Sequence, residues 1–100
     1  MKLLHASLLM LFSASQLAAV IMDNQTTQTI TAHIDFGHGT SDQTISPQSS
    51  KTVKVGVNEF SITFHYPSTL KVQGKTLFGV TDAQHITIKG DGKTTLTITR

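Results

Sequence analysis

Lys51-Thr-Val-Lys-Val-Gly-Val-Asn-Glu-Phe-Ser-Ile-Thr-Phe-His-Tyr66 is the stretch whose patterning decides the fold class. Its apolar residues fall on odd numbers up to Val57 and on even numbers from Phe60 onward. Alternation with period two is the signature of a half-buried strand, and a change of phase within it marks a reversal of the chain. With Asn58 and Glu59 at the tip of a hairpin, Val57 faces Phe60, Val55 faces Ile62 and Val53 faces Phe64. All six side chains then share one face, which the sequence assigns to the core.

The same alternation extends in both directions. Asn24 to Phe36 reads as the first strand, with Ile30, Ala32, Ile34 and Phe36 inward and Thr29, Thr31, His33 and Asp35 outward. Gly37 to Asp42 reads as a turn-rich loop, and Gln43 to Ser46 as a short strand stopped by Pro47, which lacks a ladder donor. Beyond Tyr66, Pro67-Ser68 breaks the strand. Leu70 and Val72 then approach a turn at Gly74-Lys75 that sets Val72 against Leu77. Thr81-Asp82-Ala83 is a further connection.

In the last hairpin Ile86, Ile88, Leu96 and Ile98 all carry even numbers. A two-residue Asp91-Gly92 tip pairs odd with even, so the parity calls for a three-residue loop in which Gly92 supplies a positive φ. Seven or eight short strands with turn signals between them predict an all-β fold: a small antiparallel β-sandwich, immunoglobulin-like in architecture. A small open β-barrel is the alternative.

The first 19 residues are of a different kind. Lys2 precedes an apolar run through Leu8-Leu9-Met10-Leu11-Phe12 and a small-residue zone ending Leu17-Ala18-Ala19, the layout of a secretory signal peptide. Cleavage after Ala19 suits the small-residue preference of the peptidase, and Ser13-Ala14-Ser15 offers a second site. A transmembrane anchor needs about 20 nearly uninterrupted apolar residues, and His5, Ser7, Ser13, Ser15 and Gln16 interrupt this run. The expected organisation is a signal peptide over 1–19 and a single β-sandwich domain over 20–100, secreted or periplasmic and not inserted in the membrane after cleavage.

The chain has no cysteine, so an exported domain of this length holds together by burial alone. The formal charge is +2 with Lys2 included, too small to imply a nucleic-acid partner. It is unevenly placed: Val20 to Ser50 carries Asp23, Asp35 and Asp42 and no Lys or Arg, whereas every cation other than Lys2 lies in Lys51 to Arg100.

Few residues carry chemistry. Neither Gly37-His38-Gly39 nor Gly90-Asp91-Gly92 opens a helix, so no phosphate cradle is implied. The carboxylates are scattered, and no nucleophile motif is present. Asn24-Gln25-Thr26 fits the glycosylation sequon. His33, Asp35 and His38 are the candidate metal ligands, since residues two apart on a strand point the same way at about 6.6 Å and a glycine-flanked loop could fold His38 toward them. A water, or His65 or His85, both expected on outward strand faces, would supply a fourth ligand.

The reading assigns no catalytic residue, no metal site and no cofactor, and expects no enzyme. It expects an exported, non-catalytic binding or accessory module acting on an unidentified protein partner through loops or a strand edge. A self-assembling surface subunit joined through strand edges and a weak histidine-based metal carrier are the alternatives.

Overall fold

The computed structural model describes residues 19–70 and 73–100. The leader assigned to 1–19 therefore lies outside the described residues except for Ala19, as does Val72 of the expected turn. Among the described residues eight strands form: β1 (Val20–Asn24), β2 (Ile30–Asp35), β3 (Thr40–Ile45), β4 (Ser49–Val53), β5 (Phe60–His65), β6 (Lys75–Val80), β7 (His85–Gly90) and β8 (Leu96–Thr99). They make two four-stranded sheets, ordered β4-β1-β7-β8 and β3-β2-β5-β6. The fold is a small β-sandwich, and no ladder joins the two sheets into a barrel among the described residues.

Alternation dictates which side chains meet between the sheets. Val20, Met22, Ile86 and Ile88 from the first sheet and Ile30, Ala32, Ile34, Phe60, Ile62 and Phe64 from the second are buried, together with Ile45, Val80 and Leu96. The even-numbered inward face expected for β2, β5 and β7 is thus the face that packs. Ile62 stands opposite Ile34 on one side and Leu77 on the other, so β5 is an inner strand with apolar neighbours across both ladders.

The central hairpin does not form. Val53 pairs with Val20 on β1, whereas Phe64 pairs with Ala32 on β2 and Lys75 on β6. Lys54 to Glu59 instead carry the chain from the edge of one sheet to an inner position of the other. Both arrangements leave the same parity change, because a strand that crosses to the facing sheet must also turn its inner side chains through the core. The backbone shows why the crossover wins. The residue with positive φ is Gly56, at +79°, ahead of the expected tip, while a tight primed turn at Asn58-Glu59 would ask a glutamate or an asparagine to take that conformation. Val53, Val55 and Val57 still pack against the core, half-buried.

Three further departures have physical causes. β1 was hidden in the apolar composition that closes the leader, although Val20, Met22 and Asn24 alternate with Ile21 and Asp23 and all three are buried. It lies parallel to β7, the one parallel pair among the described residues in a sandwich expected to be antiparallel; these strands are far apart in sequence and no hairpin dictates their relative direction. β3 begins at Thr40, inside the expected loop, because Asp35 pairs with Thr40 across a tight Phe36–Gly39 turn closed by the Phe36 amide donating to the Gly39 carbonyl at 3.1 Å.

The last hairpin keeps its even-to-even register, Ile88 with Ile98 and Gly90 with Leu96, but its loop spans Asp91 to Thr95 and is therefore five residues rather than three. Gly92 has the expected positive φ, +78°. The longer loop has a reason in side chains. The Tyr66 hydroxyl donates to the Thr95 carbonyl at 3.0 Å and accepts the Gly92 amide at 2.8 Å. At Gly90 a Cβ would stand 2.2 Å from the Thr95 carbonyl oxygen and 2.3 Å from that hydroxyl, so the approach exists only because Gly90 has no side chain. Tyr66 is thus buried with its hydroxyl bonded inside the fold, not placed at a wet rim. Tyr66→Phe is expected to cost about 1–2 kcal/mol, since the Gly92 amide and Thr95 carbonyl lose their partner. The check is chemical denaturation with an unchanged m-value, alongside faster amide exchange at Gly92.

Asp91 caps the same loop. Its Oδ1 accepts the amides of Lys93, Thr94 and Thr95 at 2.8, 3.0 and 3.1 Å. These backbone donors, Lys93 first, hold its pKa down at about 2. A carboxylate whose folded pKa lies below its unfolded one stabilises the fold above the unfolded value and ceases to do so as pH falls through the folded one. Asp91→Ala should therefore lose stability at neutral pH and show a shallower fall between about pH 4 and pH 2 than the parent, measurable by melting temperature against pH.

Candidate functional site

The five histidines and their acidic neighbours were the chemistry-bearing residues of the sequence, and the ladders determine where the described ones sit. On β2 and β3, His33 stands directly opposite Asp42, and its Nδ1 bonds the Asp42 carboxylate. Asp35 turns its carboxylate to the Gly37 amide at 2.9 Å, stabilising the tight turn. His38 packs its ring against Phe36, centroids 5.5 Å apart and edge-on at 63°. His33, Asp35 and His38 thus each take a separate partner. Among the described residues no three His, Cys, Asp or Glu side chains come together as an ion-holding group. Asp42, which sequence reading left in a loop, is the partner that the β2–β3 register supplies.

His65 corrects another expectation. Its parity puts it outward, yet it is only 8% exposed. Its Nδ1 donates to the Tyr66 carbonyl at 2.9 Å, and its Nε2 is buried with no hydrogen-bond partner among the described residues. His85 is exposed at the start of β7, opposite Ile21.

The sequon at Asn24 is also resolved by packing. Asn24 is fully buried. Its Nδ2 donates to the carbonyls of Gln28, Ile45 and Ser46 at 2.8, 3.0 and 3.1 Å, and its Oδ1 accepts the Thr26 amide and hydroxyl at 2.9 and 2.7 Å. The nitrogen that would carry a glycan is the one that ties the end of β1 to the β1–β2 turn and to the end of β3. The motif is structural in this fold: an Asx turn whose amide also bridges the two sheets.

Among the described residues several depressions border the edges of the sandwich, one of about 260 Å³ between β3 and β4 and two larger ones. The first, about 410 Å³, is lined by Asp35, Phe36, Gly37, Glu59, Phe60, Ser61, Phe78 and Gly79. It is shallow, with Phe78 projecting from its wall at 72% exposure, and no histidine stands beside Ser61 among its lining residues to activate the hydroxyl. The second, about 380 Å³, runs between the edge strands of the two sheets, β6 and β8, and is lined by Lys75, Thr76, Leu77, Leu96, Thr97 and Ile98. Arg100, the residue after β8, closes one end: its guanidinium donates to the Phe78 carbonyl at 2.7 Å and the Gly79 carbonyl at 3.3 Å, both on β6.

A two-sheet sandwich has four edges, each exposing unpaired backbone donors and acceptors to any extended chain that meets them. Three of these edges carry a blocking feature. β3 bears Asp42 in its pair with His33. β4 bears Lys51, which stands opposite the buried Met22 and reaches across to the Thr44 carbonyl at 3.3 Å. β6 starts with Lys75 and its register against β5 shifts between Phe60 and Ile62, placing Phe78 and Gly79 in a bulge. β8 has none of these. Leu96-Thr97-Ile98-Thr99 is uncharged, pairs with β7 in unbroken register and borders the cleft. No family model matches the chain, and no curated protein or solved structure is detectably similar to it.

Proposed function

We propose that the chain is an exported, non-catalytic binding module that takes an extended segment of a protein partner onto the edge of β8. The observation that carries this reading is the contrast among the described edges, of which β8 combines neutral composition, regular register and an adjoining open cleft. Strand addition draws its affinity from main-chain hydrogen bonds and its selectivity from pockets that receive alternate side chains. Leu77, Leu96 and Ile98 offer the apolar surface for those alternate positions. Among the described residues Lys75 lines the cleft and Arg100 closes one end of it, and no described carboxylate is among its lining residues. The segment that fits is therefore extended, apolar at every second position and acidic where it passes Lys75.

Thr97 and Thr99 are exposed on β8, and lysine at an edge is an effective obstacle to pairing. The double variant Thr97→Lys, Thr99→Lys should melt within a few degrees of the parent, because exposed substitutions usually change stability by less than about 0.5 kcal/mol. It should no longer retain the partner that the parent protein retains from the compartment to which it is exported. Retention of the same partner by the double variant would remove β8 as the binding edge.

The same edge favours a second reading, self-assembly, since a neutral strand can pair antiparallel with its own copy across a two-fold axis. Sedimentation separates the two. A parent protein whose mass rises with concentration, and a double variant that stays monomeric, would make the chain a self-assembling subunit.

A further inference from the structure

Asp91 is the one Asp or Asn in the sequence that a glycine follows. In such a pair the backbone nitrogen of the glycine can attack the side-chain carboxyl of the residue before it, because no Cβ crowds its approach. The new bond joins that nitrogen to Cγ, the carboxyl hydroxyl leaves as water with the amide proton, and a succinimide ring remains. A second water then opens one of the two ring carbonyls. Opening at Cγ restores aspartate, whereas opening at the main-chain carbonyl leaves isoaspartate, in which the main chain runs through Cβ and Cγ. The net reaction is an isomerisation: one water is released, one is taken up, and no other reagent is consumed.

The fold occupies both reacting groups. The Gly92 amide donates to the Tyr66 hydroxyl at 2.8 Å, which directs the nitrogen toward Tyr66. The Asp91 carboxylate is turned to the amides of Lys93, Thr94 and Thr95. A Cβ on Gly92 would stand 2.8 Å from the Thr27 hydroxyl oxygen and 3.4 Å from Gln28 Cγ, so the backbone here is also packed against the β1–β2 turn. The three amides keep the Asp91 pKa at about 2, so the carboxyl is ionised at neutral pH. Only the protonated acid loses its hydroxyl readily. Opening the loop therefore frees the nucleophile and restores the electrophile together.

We infer that Asp91-Gly92 is a self-modification site which the native loop holds shut, with the Tyr66 hydroxyl as its latch, and that opening of the loop converts Asp91 to isoaspartate. The product cannot resume the native arrangement. It consumes the carboxyl that capped the loop, and it lengthens the main chain just ahead of Gly92, whose amide must reach Tyr66. Isoaspartate at this position thus records the opening of the β7–β8 loop.

The test ages the purified chain at neutral pH, in buffer and in denaturing urea, and reads isoaspartate at position 91 by peptide mapping with enzymatic methylation of isoaspartyl groups. Its formation should be at least about tenfold slower in buffer, the factor that one or two ordinary hydrogen bonds supply. Tyr66→Phe, aged while folded, should form it severalfold faster than the parent. Ile34→Val is the control: it pairs with Ser41 and Ile62, away from the loop, and its loss of core volume lowers stability by a similar amount. It should age like the parent. Equal rates for the parent in buffer and in urea overturn the shielding, a comparison that needs no variant to fold. A Tyr66→Phe rate no higher than the parent's, or matched by Ile34→Val, overturns the latch.

Discussion

Ile62→Asp should leave no folded protein at neutral pH, whereas Thr63→Asp, one residue along, should melt close to the parent. Ile62 is completely buried on β5 between Ile34 and Leu77, and among the described residues its inward neighbours are apolar side chains. A carboxylate there has no donor to pair with, and burying one costs several kcal/mol. A cysteine-free domain of this size has on the order of 5 kcal/mol to lose.

Thr63 points the other way. It faces His33 on one side, and on the other its hydroxyl shares a 2.9 Å hydrogen bond with that of Thr76. Ser61→Asp is the less neutral control, because Ser61 lies directly opposite Asp35 and like charges across a ladder cost roughly 0.2–1 kcal/mol. Circular dichroism and thermal melts of the three variants decide the matter. Equal losses in Ile62→Asp and Thr63→Asp would show that the inward and outward faces of β5 are misassigned.

Asn24→Asp should be the second most damaging change, although it replaces one atom by another of nearly the same size. The Asn24 amide nitrogen shares its two protons among three carbonyl oxygens, and aspartate would turn an oxygen toward all three. Each buried acceptor left without its donor costs about 1–3 kcal/mol, and the buried charge adds to that. The expected loss is at least about 4 kcal/mol, close to the stability of the domain.

The pH dependence has a definite sign. Burial beside three carbonyls raises the carboxyl's pKa in the folded state, and a raised folded pKa means that the fold binds the proton more tightly than the unfolded chain. Asn24→Asp should therefore regain part of its stability as pH falls, because the protonated acid can again donate one bond. Denaturation midpoints at pH 7 and pH 4.5 measure this, and a midpoint that falls on acidification would mean that the Asn24 site is not buried. The exposed neighbour Gln25 serves as the control: Gln25→Ala loses only the 3.0 Å surface contact with Asp23 and should shift the melt by little.

Read from the residues alone, this chain is an all-β domain with Ile30, Ala32, Ile34, Phe60, Ile62, Phe64, Ile86 and Ile88 in its core. Those assignments follow from a local cause: side chains alternate across a strand, so parity reports which face is apolar whatever the strand's neighbours are. The positive φ of Gly92 and the even-to-even pairing of the last hairpin are equally local, because a loop of odd length preserves parity whether it holds three residues or five. Partnership between strands is not local. The phase change at Val57 to Phe60 is the same for a hairpin and for a crossing between sheets, and the positive φ at Gly56 together with the pairing of β4 on the edge of β1 decides for the crossing.

The same limit governs the polar residues. That His33 meets Asp42 rather than His38, that Asn24 is a buried bridge rather than a glycan acceptor, and that the Tyr66 hydroxyl reaches over Gly90 depend on ladders and contacts between segments distant in sequence. The candidate edge is intermediate. The neutrality of Leu96-Thr97-Ile98-Thr99 can be read from the residues, but that β8 is an edge, with an open cleft between it and β6, is a property of strand order. No periodicity within one strand specifies which strands lie beside it, because alternation records a face and order is decided by how all the faces close over one core.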